Sequence, residues 1–260
     1  MMRVAVLCDI HGNLPALEAV LDDIRQSEVD HVVVGGDLLP GPMPRQTLAS
    51  LLDLDVPVEF IHGNGELGVL AQMRATDPDD VTYWGTASGE PLPEPHREVL
   101  RWTARQLHPE DERLLASWPK TLRLEIPALG QVLFCHGTPR SETEIFTRLT
   151  PEDLLRPVFD GLHVPLVVCG HTHMQFDRTI GKTRVVNAGS VGMPFSRPGA
   201  DWLLLGPDVQ LRHTSYDLAD CARRIRETEY PQAHEFAAQY ILQTPSEADM
   251  LEQFTSVSFR

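Results

Sequence analysis

Short apolar runs alternate with stretches of helical spacing along most of this chain. Arg3 to Cys8 is nearly continuous in apolar residues, as a buried strand is. Pro15 to Gln26 then sets Leu17, Val20, Leu21 and Ile24 on one helical stripe. His31 to Val34 predicts a second buried strand. Thr47 to Leu54 predicts a second helix, behind the turn Pro40-Gly41-Pro42-Met43-Pro44, and Val56 to Ile61 a third strand. This β-loop-α order predicts an α/β fold.

The pattern changes from Leu67. Residues 76–96 hold Asp77-Pro78-Asp79-Asp80 and Glu90-Pro91-Leu92-Pro93-Glu94-Pro95, a loop composition too long for an ordinary connection. We therefore expect an excursion or cap over about 76–120, with helices at Glu98 to Gln106 and from Pro109 to Trp118-Pro119. Thr121 to Ile126 and Gln131 to Cys135 predict a hairpin around Pro127-Ala128-Leu129-Gly130. Thr150 reads as a helix N-cap with Pro151 at the first helical position. Strands are expected at Val164–Cys169, Gln175–Ile180, Arg184–Val186, Trp202–Leu205 and Val209–Thr214, and helices at Leu218–Glu229 and Ala233–Leu242. Residues 1–243 read as a single domain. Residues 244–260 read as a tail without pattern.

The strand ends carry the chemistry. Val164 to Cys169 stops at Gly170 and is followed by His171 and His173; Arg3 to Cys8 is followed by Asp9 and His11. Residues two apart on extended backbone point the same way, so each pair should face one spot beyond its strand, where open α/β sheets bind ligands. Alone, such a pair reads equally as a surface turn. Five strand ends, however, finish in Asp9/His11, Asp37, Asn64, His136 and His171/His173, each beside a glycine. These nitrogen and oxygen donors suit Zn²⁺, Mn²⁺ or Fe rather than a soft thiolate site. Seven side chains exceed what one ion needs and fit two divalent transition-metal ions about 3.5–4 Å apart.

Composition narrows the substrate. Of 260 residues, 37 are Asp or Glu and 22 Lys or Arg, a formal net charge of −15. A polyanion of this size is a poor binder of nucleic-acid polymers, whose affinity comes from cations neutralising phosphates. A small anion remains compatible if bound metal reverses the local field. No apolar run is long enough for a membrane span, and the N-terminus lacks the apolar core of a signal peptide. Cys8, Cys135, Cys169 and Cys221 show no disulfide spacing and read as small buried fillers. The expectation is a cytoplasmic protein, with its oligomeric state left open.

Asp9-x-His11, Gly36-Asp37, Gly63-Asn64, His136 and Gly170-His171-x-His173, in this order, resemble the calcineurin-like metallophosphoesterases from about residue 3 to 215. Asn187-Ala188-Gly189-Ser190-Val191-Gly192-Met193-Pro194 is similar to the stretch after the last motif in small bacterial members. The resemblance implies a four-layer α-β-β-α sandwich of two facing mixed β-sheets flanked by helices. It implies that Asp9, His11, Asp37 and His173 hold one ion and Asp37, Asn64, His136 and His171 the other, with Asp37 bridging. It also implies a phosphodiesterase or phosphatase acting on small phosphoesters or nucleotides through a metal-bridging hydroxide. Arg140 is a candidate phosphate contact. The excursion would then shape the substrate entrance and leave the metal site standing without it.

One position departs from the family pattern. The third motif usually reads Gly-Asn-His and an acid, and this chain has Gly63-Asn64-Gly65-Glu66. Gly65 offers no proton to a leaving group, and its missing side chain suggests room for an imidazole; His62 and Glu66 are the neighbouring candidates to serve instead. His62 reads rather as a core residue, and His31, His96, His108, His163, His213 and His234 as surface or capping residues. Trp84, Trp102 and Trp118 read as packing rather than as stacking platforms for a base. The competing reading is a non-catalytic metal-binding regulatory or scaffold protein on the same fold; the complete ligand set argues for the enzyme.

Overall fold

The computed structural model describes residues 2–76 and 92–256. Among these residues, ten strands form two five-stranded sheets. The first contains β1 (Val4–Leu7), β2 (His31–Val34), β3 (Val58–Phe60), β9 (Ala200–Leu205) and β10 (Val209–Thr214), in the order β10-β9-β1-β2-β3. The second contains β4 (Thr121–Ile126), β5 (Gly130–Cys135), β6 (Leu166–Cys169), β7 (Phe176–Ile180) and β8 (Thr183–Asn187), in the order β4-β5-β6-β8-β7. Both sheets are mixed. β1, β2 and β3 run parallel, as do β5, β6 and β8, while β9 and β10 in the first sheet and β4 and β7 in the second pair antiparallel.

Strand alternation explains the layering. Val4, Val6 and Val33 of the first sheet face Phe134, Val168 and Val186 of the second in one buried cluster. The alternate residues Ala5, Leu7, Val32 and Val34 pack outward on Leu17 and Val20 of α1 (Leu14–Gln26) and Leu48 of α2 (Pro44–Leu52). Leu133, Val167 and Val185 pack outward on Leu155 and Val158 of α6 (Glu152–Phe159). Because successive strand side chains point to opposite faces, sheets apolar on both faces give the expected α-β-β-α order. Both sheets deliver the ends of their parallel strands to one edge.

Local chemistry shifts several boundaries. α2 starts at Pro44, whose absent N–H costs nothing in a first turn. The helix α3 (Asn64–Arg74) was not legible: it begins directly at the third motif, and its two glycines blur the apolar stripe. Thr150 is not the N-cap of α6. Pro151 holds that position, and the Thr150 hydroxyl accepts the Thr147 N–H at 2.9 Å. The helix expected over 233–242 is α8 (Ala233–Phe236) continuing as a π-helical turn (Ala237–Leu242), packed on α7 (Leu218–Arg226). The stretch 244–260 is not patternless, for it contains α9 (Glu247–Ser256).

The excursion is only partly a cap. Part of it, including Trp84, lies outside the described residues. The remainder forms α4 (Glu94–Gln106) and α5 (Pro109–Ser117), and Leu100, Leu107, Leu115 and Trp118 belong to the main core with α1 and the first sheet. Trp118 stacks on Phe60 with ring centroids 4.6 Å apart, and Trp102 packs edge-on to Tyr230 at 5.4 Å. The expectation that the segment could be removed without harming the rest is therefore corrected. Leu100 is fully buried, so Leu100→Ala should cost about 2–5 kcal/mol in urea unfolding, whereas Leu149→Ala at an exposed site should stay within about 0.5 kcal/mol. A loss at Leu100 no larger than at Leu149 would show that α4 is a detachable cap.

Candidate metal centre and the cavity above it

Two groups of donors meet where the two sheets meet. Asp9, His11 and His173 form one, and Asp37, His136 and His171 the other; within each, one donor atom per residue lies within 4.8 Å of the others. Asn64 joins the second group, its Oδ1 3.1 Å from His136 Nε2. The seven residues singled out in the sequence thus converge. His171 and His173 do not share one spot, however, because each belongs to a different group. The reason is backbone geometry. Asp9, His11, Asp37, His171 and His173 all have φ between 47° and 69°. They make up five of the eight non-glycine residues with positive φ among the described residues. Each pair turns in the left-handed region instead of continuing as extended strand. Such strain persists only where surrounding structure enforces it, and it gathers at functional sites.

Hydrogen bonds across the loops do the enforcing. Asp9 N–H donates to Gly36 O and His11 N–H to Asp37 O, both at 3.0 Å. The second sheet is tied in when His171 N–H donates to Asp9 Oδ2 at 2.9 Å and Gly170 N–H to His136 O at 2.9 Å. The Asn187–Pro194 stretch completes the frame. Asn187 Nδ2 donates to Gly170 O at 2.6 Å, and Ser190 Oγ donates to Asp9 O at 2.7 Å.

The imidazoles are oriented from behind. His136 Nδ1–H donates to Gly35 O at 3.0 Å and His173 Nδ1–H to Met193 O at 2.9 Å. With Nδ1 engaged in this way, Nε2 of each ring is directed toward the centre. His173 Nε2 then lies 3.2 Å from His11 Nε2 and 3.2 Å from Asp9 Oδ1. Asp9 Oδ1 and His171 Nε2 are buried without a hydrogen-bond partner among the described residues. Buried acceptors that face one another with no donor are what a cation-binding site presents, so the residues fit divalent metal. Asp37 lies between the groups, with Oδ2 3.8 Å from His11 Nε2 and Oδ1 3.5 Å from His136 Nε2. Asp9 Oδ1 also comes within 3.8 Å of His136, but its other oxygen is taken by the His171 N–H.

Charge is arranged to match. Burial alone would raise both carboxyls, yet His173 and His136 hold Asp9 below the usual range, and His136 and His11 do the same for Asp37. Burial pushes His11 and His171 down to about 4, which keeps their lone pairs free. His136 is disfavoured as a cation by burial, but Asp37 and Asp9 raise it to about 10. Burial also keeps Cys8, Cys135 and Cys169 protonated, which agrees with their reading as fillers.

The calcineurin-like phosphoesterase superfamily domain matches residues 2–206. This chain belongs to that family. It is 28% identical over 207 residues to an uncharacterized protein of Methanocaldococcus jannaschii, covering 74% of this chain and 76% of that one. A metallophosphoesterase from Sphaerobacter thermophilus is similar in structure, with TM-score 0.64 and 25% identity over 91% of this chain and 98% of that one. A hypothetical protein from Pyrococcus horikoshii shares the fold at TM-score 0.78 and 22% identity, over 95% of this chain and all of that one. As a calcineurin-like phosphoesterase the chain belongs to a metal-dependent family, and its two donor groups stand where such a site is needed.

The third motif of this phosphoesterase is occupied differently from expectation. A Cβ on Gly65 would lie 2.0 Å from Leu39 O and 2.9 Å from Asp37 Oδ1, so there is no room for an imidazole. Glycine is required because its N–H comes close enough to donate to Asp37 Oδ1 at 2.7 Å. Glu66 is not available as an acid either. It is fully buried and accepts from the N–H groups of Asp37 (2.9 Å), Leu39 (2.9 Å) and Gly63 (2.8 Å). Burial and the Asp37 charge raise it to about 7, while the Leu39 and Gly63 donors pull the other way. His62 is bound to Leu115 O at 2.7 Å.

Above the metal-binding groups opens a cavity of about 390 Å³. His11, Asp37, Asn64, His171 and His173 form part of its lining. Arg140 is not among the lining residues; its Nε donates to Glu144 Oε1 at 2.6 Å on a half-exposed turn. His96 is exposed, as expected, and also lines the cavity. The opposite wall comes mostly from residues 230–254, which carry no motif. Only the spacing of Met250, Leu251 and Phe254, with Ser246 and Asp249 as a helix-start pair, could have revealed α9. Glu66→Gln would put an NH₂ against a backbone N–H, and should cost about 1–3 kcal/mol. Thermal unfolding followed by circular dichroism should show this as a fall of several degrees in Tm; an unchanged Tm would mean that Glu66 does not hold the Asp37 turn.

Proposed function

We propose that the chain is a metal-dependent phosphohydrolase acting on small phosphoesters, diesters above all in view of its resemblance to small bacterial members, through two divalent cations. The observation that carries this reading is the complete and pre-oriented donor set. Asp9, His11 and His173 would hold one cation and Asn64, His136 and His171 the other. Asp37, with one oxygen toward each group, would serve both. Two such cations would lower the pKa of a bound water and would supply positive charge to the phosphoryl oxygens. The protein does the rest. Gly35 O and Met193 O fix the ring tautomers of His136 and His173. Glu66 and Gly65 hold the Asp37 turn in place.

The regulatory or scaffold alternative needs the donors only as a structural clip. The opening of a 390 Å³ cavity directly on the donor groups favours turnover, because a clip has no use for a substrate-sized space. With Gly65, Glu66 and His62 unable to protonate a leaving group, esters of good leaving groups should react best. Purified protein supplied with Mn²⁺ should hydrolyse bis(p-nitrophenyl) phosphate, and Asp37→Ala should reduce kcat/KM by at least about 10³-fold while lowering metal content by elemental analysis. A chain that folds, binds metal and releases no product from any of a panel of aryl phosphodiesters, monoesters and nucleotides would overturn the enzymatic reading.

A further inference from the structure

The wall of the cavity opposite the donor groups has a chemistry of its own. Phe195 stacks on His173 with centroids 4.6 Å apart. From Phe195 the rings continue to Tyr240 at 6.5 Å and to Phe254 at 6.4 Å. Tyr240 and Phe254 are only half-buried and line the cavity from two separate elements, the π-helical turn and α9. Each is preceded by a glutamine that also lines it, Gln239 and Gln253. The π-helical turn is itself a rare local structure that tends to occur at functional sites.

Charge decides what such a wall can take. None of the described lining residues is Lys or Arg, and Glu235 adds a negative group. Among the described lining residues, a second phosphate would find no Lys or Arg to neutralise it away from the metal-binding floor. A neutral, planar ring would find aromatic faces to stack on and amides able to both donate and accept at its edge. The volume of about 390 Å³ is in the range of small-molecule sites.

We propose that Tyr240, Phe254 and the glutamines beside them form a nucleobase subsite, so that the preferred substrates are esters of a nucleoside carrying a single phosphoryl group. This rests on the phosphohydrolase reading and names the substrate class for it. The specificity element is then the C-terminal segment, with α4 contributing His96 and Val99 from the other side. Stacking is tolerant of base identity because every base has a π-face, so the subsite reads the presence of a base more than its kind.

The test has two arms on the full chain. In the first, saturation-transfer NMR with adenosine, uridine and ribose reads binding without any hydrolysis. Both nucleosides should bind, ribose should not, and Tyr240→Ala and Phe254→Ala should each weaken nucleoside binding by about tenfold. In the second, the Mn²⁺-supplied protein is given two diesters with the same leaving group, thymidine 5′-(p-nitrophenyl) phosphate and methyl p-nitrophenyl phosphate. The kcat/KM ratio should favour the thymidine ester by about tenfold or more and should fall toward one in the Tyr240→Ala/Phe254→Ala double variant. Hydrolysis of both esters with a ratio near one, together with no nucleoside binding, would overturn the subsite and leave the phosphohydrolase standing. Nucleoside binding lost in the variants, with neither ester hydrolysed, would uphold the subsite and sink the hydrolase. Should the single variants lose the native circular dichroism spectrum, Tyr240→Leu and Phe254→Leu keep the apolar packing and remove the stacking face, and the same two readouts apply.

Discussion

Two buried carboxylates and four imidazoles, three of them buried and His171 partly so, meet at one junction, and this is the constraint on which the molecule is built. Asp9 and Asp37 are almost completely removed from water, and an isolated buried carboxylate would take up a proton to escape the desolvation penalty. Here the imidazoles keep both anionic, with His136 the most strongly polarised of them. The arrangement is unfavourable for a self-contained core and suited to a site that receives cations. Its stability has to come from elsewhere, and the apolar cluster between the sheets and the two outside them supply it.

The loops translate that packing into geometry. Parallel strands end at one edge of each sheet, and turns with positive φ fold the donors inward. Those turns hydrogen-bond to one another rather than to solvent, so moving any one of them disturbs the rest. Asp9 shows this most clearly. Its N–H is bound to Gly36, its carbonyl to Gly192 and Ser190, and one carboxylate oxygen to His171. Gly65 and Glu66 play the same part for Asp37. The third motif thus places, where the family pattern has a histidine, a glycine whose N–H closes on the Asp37 carboxylate.

Much of this could be read from residue order, and the losses have physical causes. Strand ends with donors beside glycine marked the whole candidate set, because side-chain chemistry at a strand terminus is local information. Asp9 and His11 do face one spot, whereas His171 and His173 divide between the two groups, because alternation on extended backbone says nothing about turns at positive φ. Proline-rich composition made 76–120 look detachable, whereas burial of Leu100 and Leu115 is a tertiary fact. The cavity wall escaped notice for a similar reason. Tyr240 and Phe254 sit on a short π-helical turn and a terminal helix, and only folding brings them over His173 and Phe195.

The central claim is that the two donor groups are two metal sites sharing Asp37. Anomalous diffraction from crystals grown with Mn²⁺, recorded on both sides of the manganese edge, tests it most directly. The account predicts two peaks about 3.5–4 Å apart, one ringed by Asp9, His11 and His173 and the other by Asn64, His136 and His171, with Asp37 reaching both. A single peak at full occupancy, or two that Asp37 does not join, would contradict it.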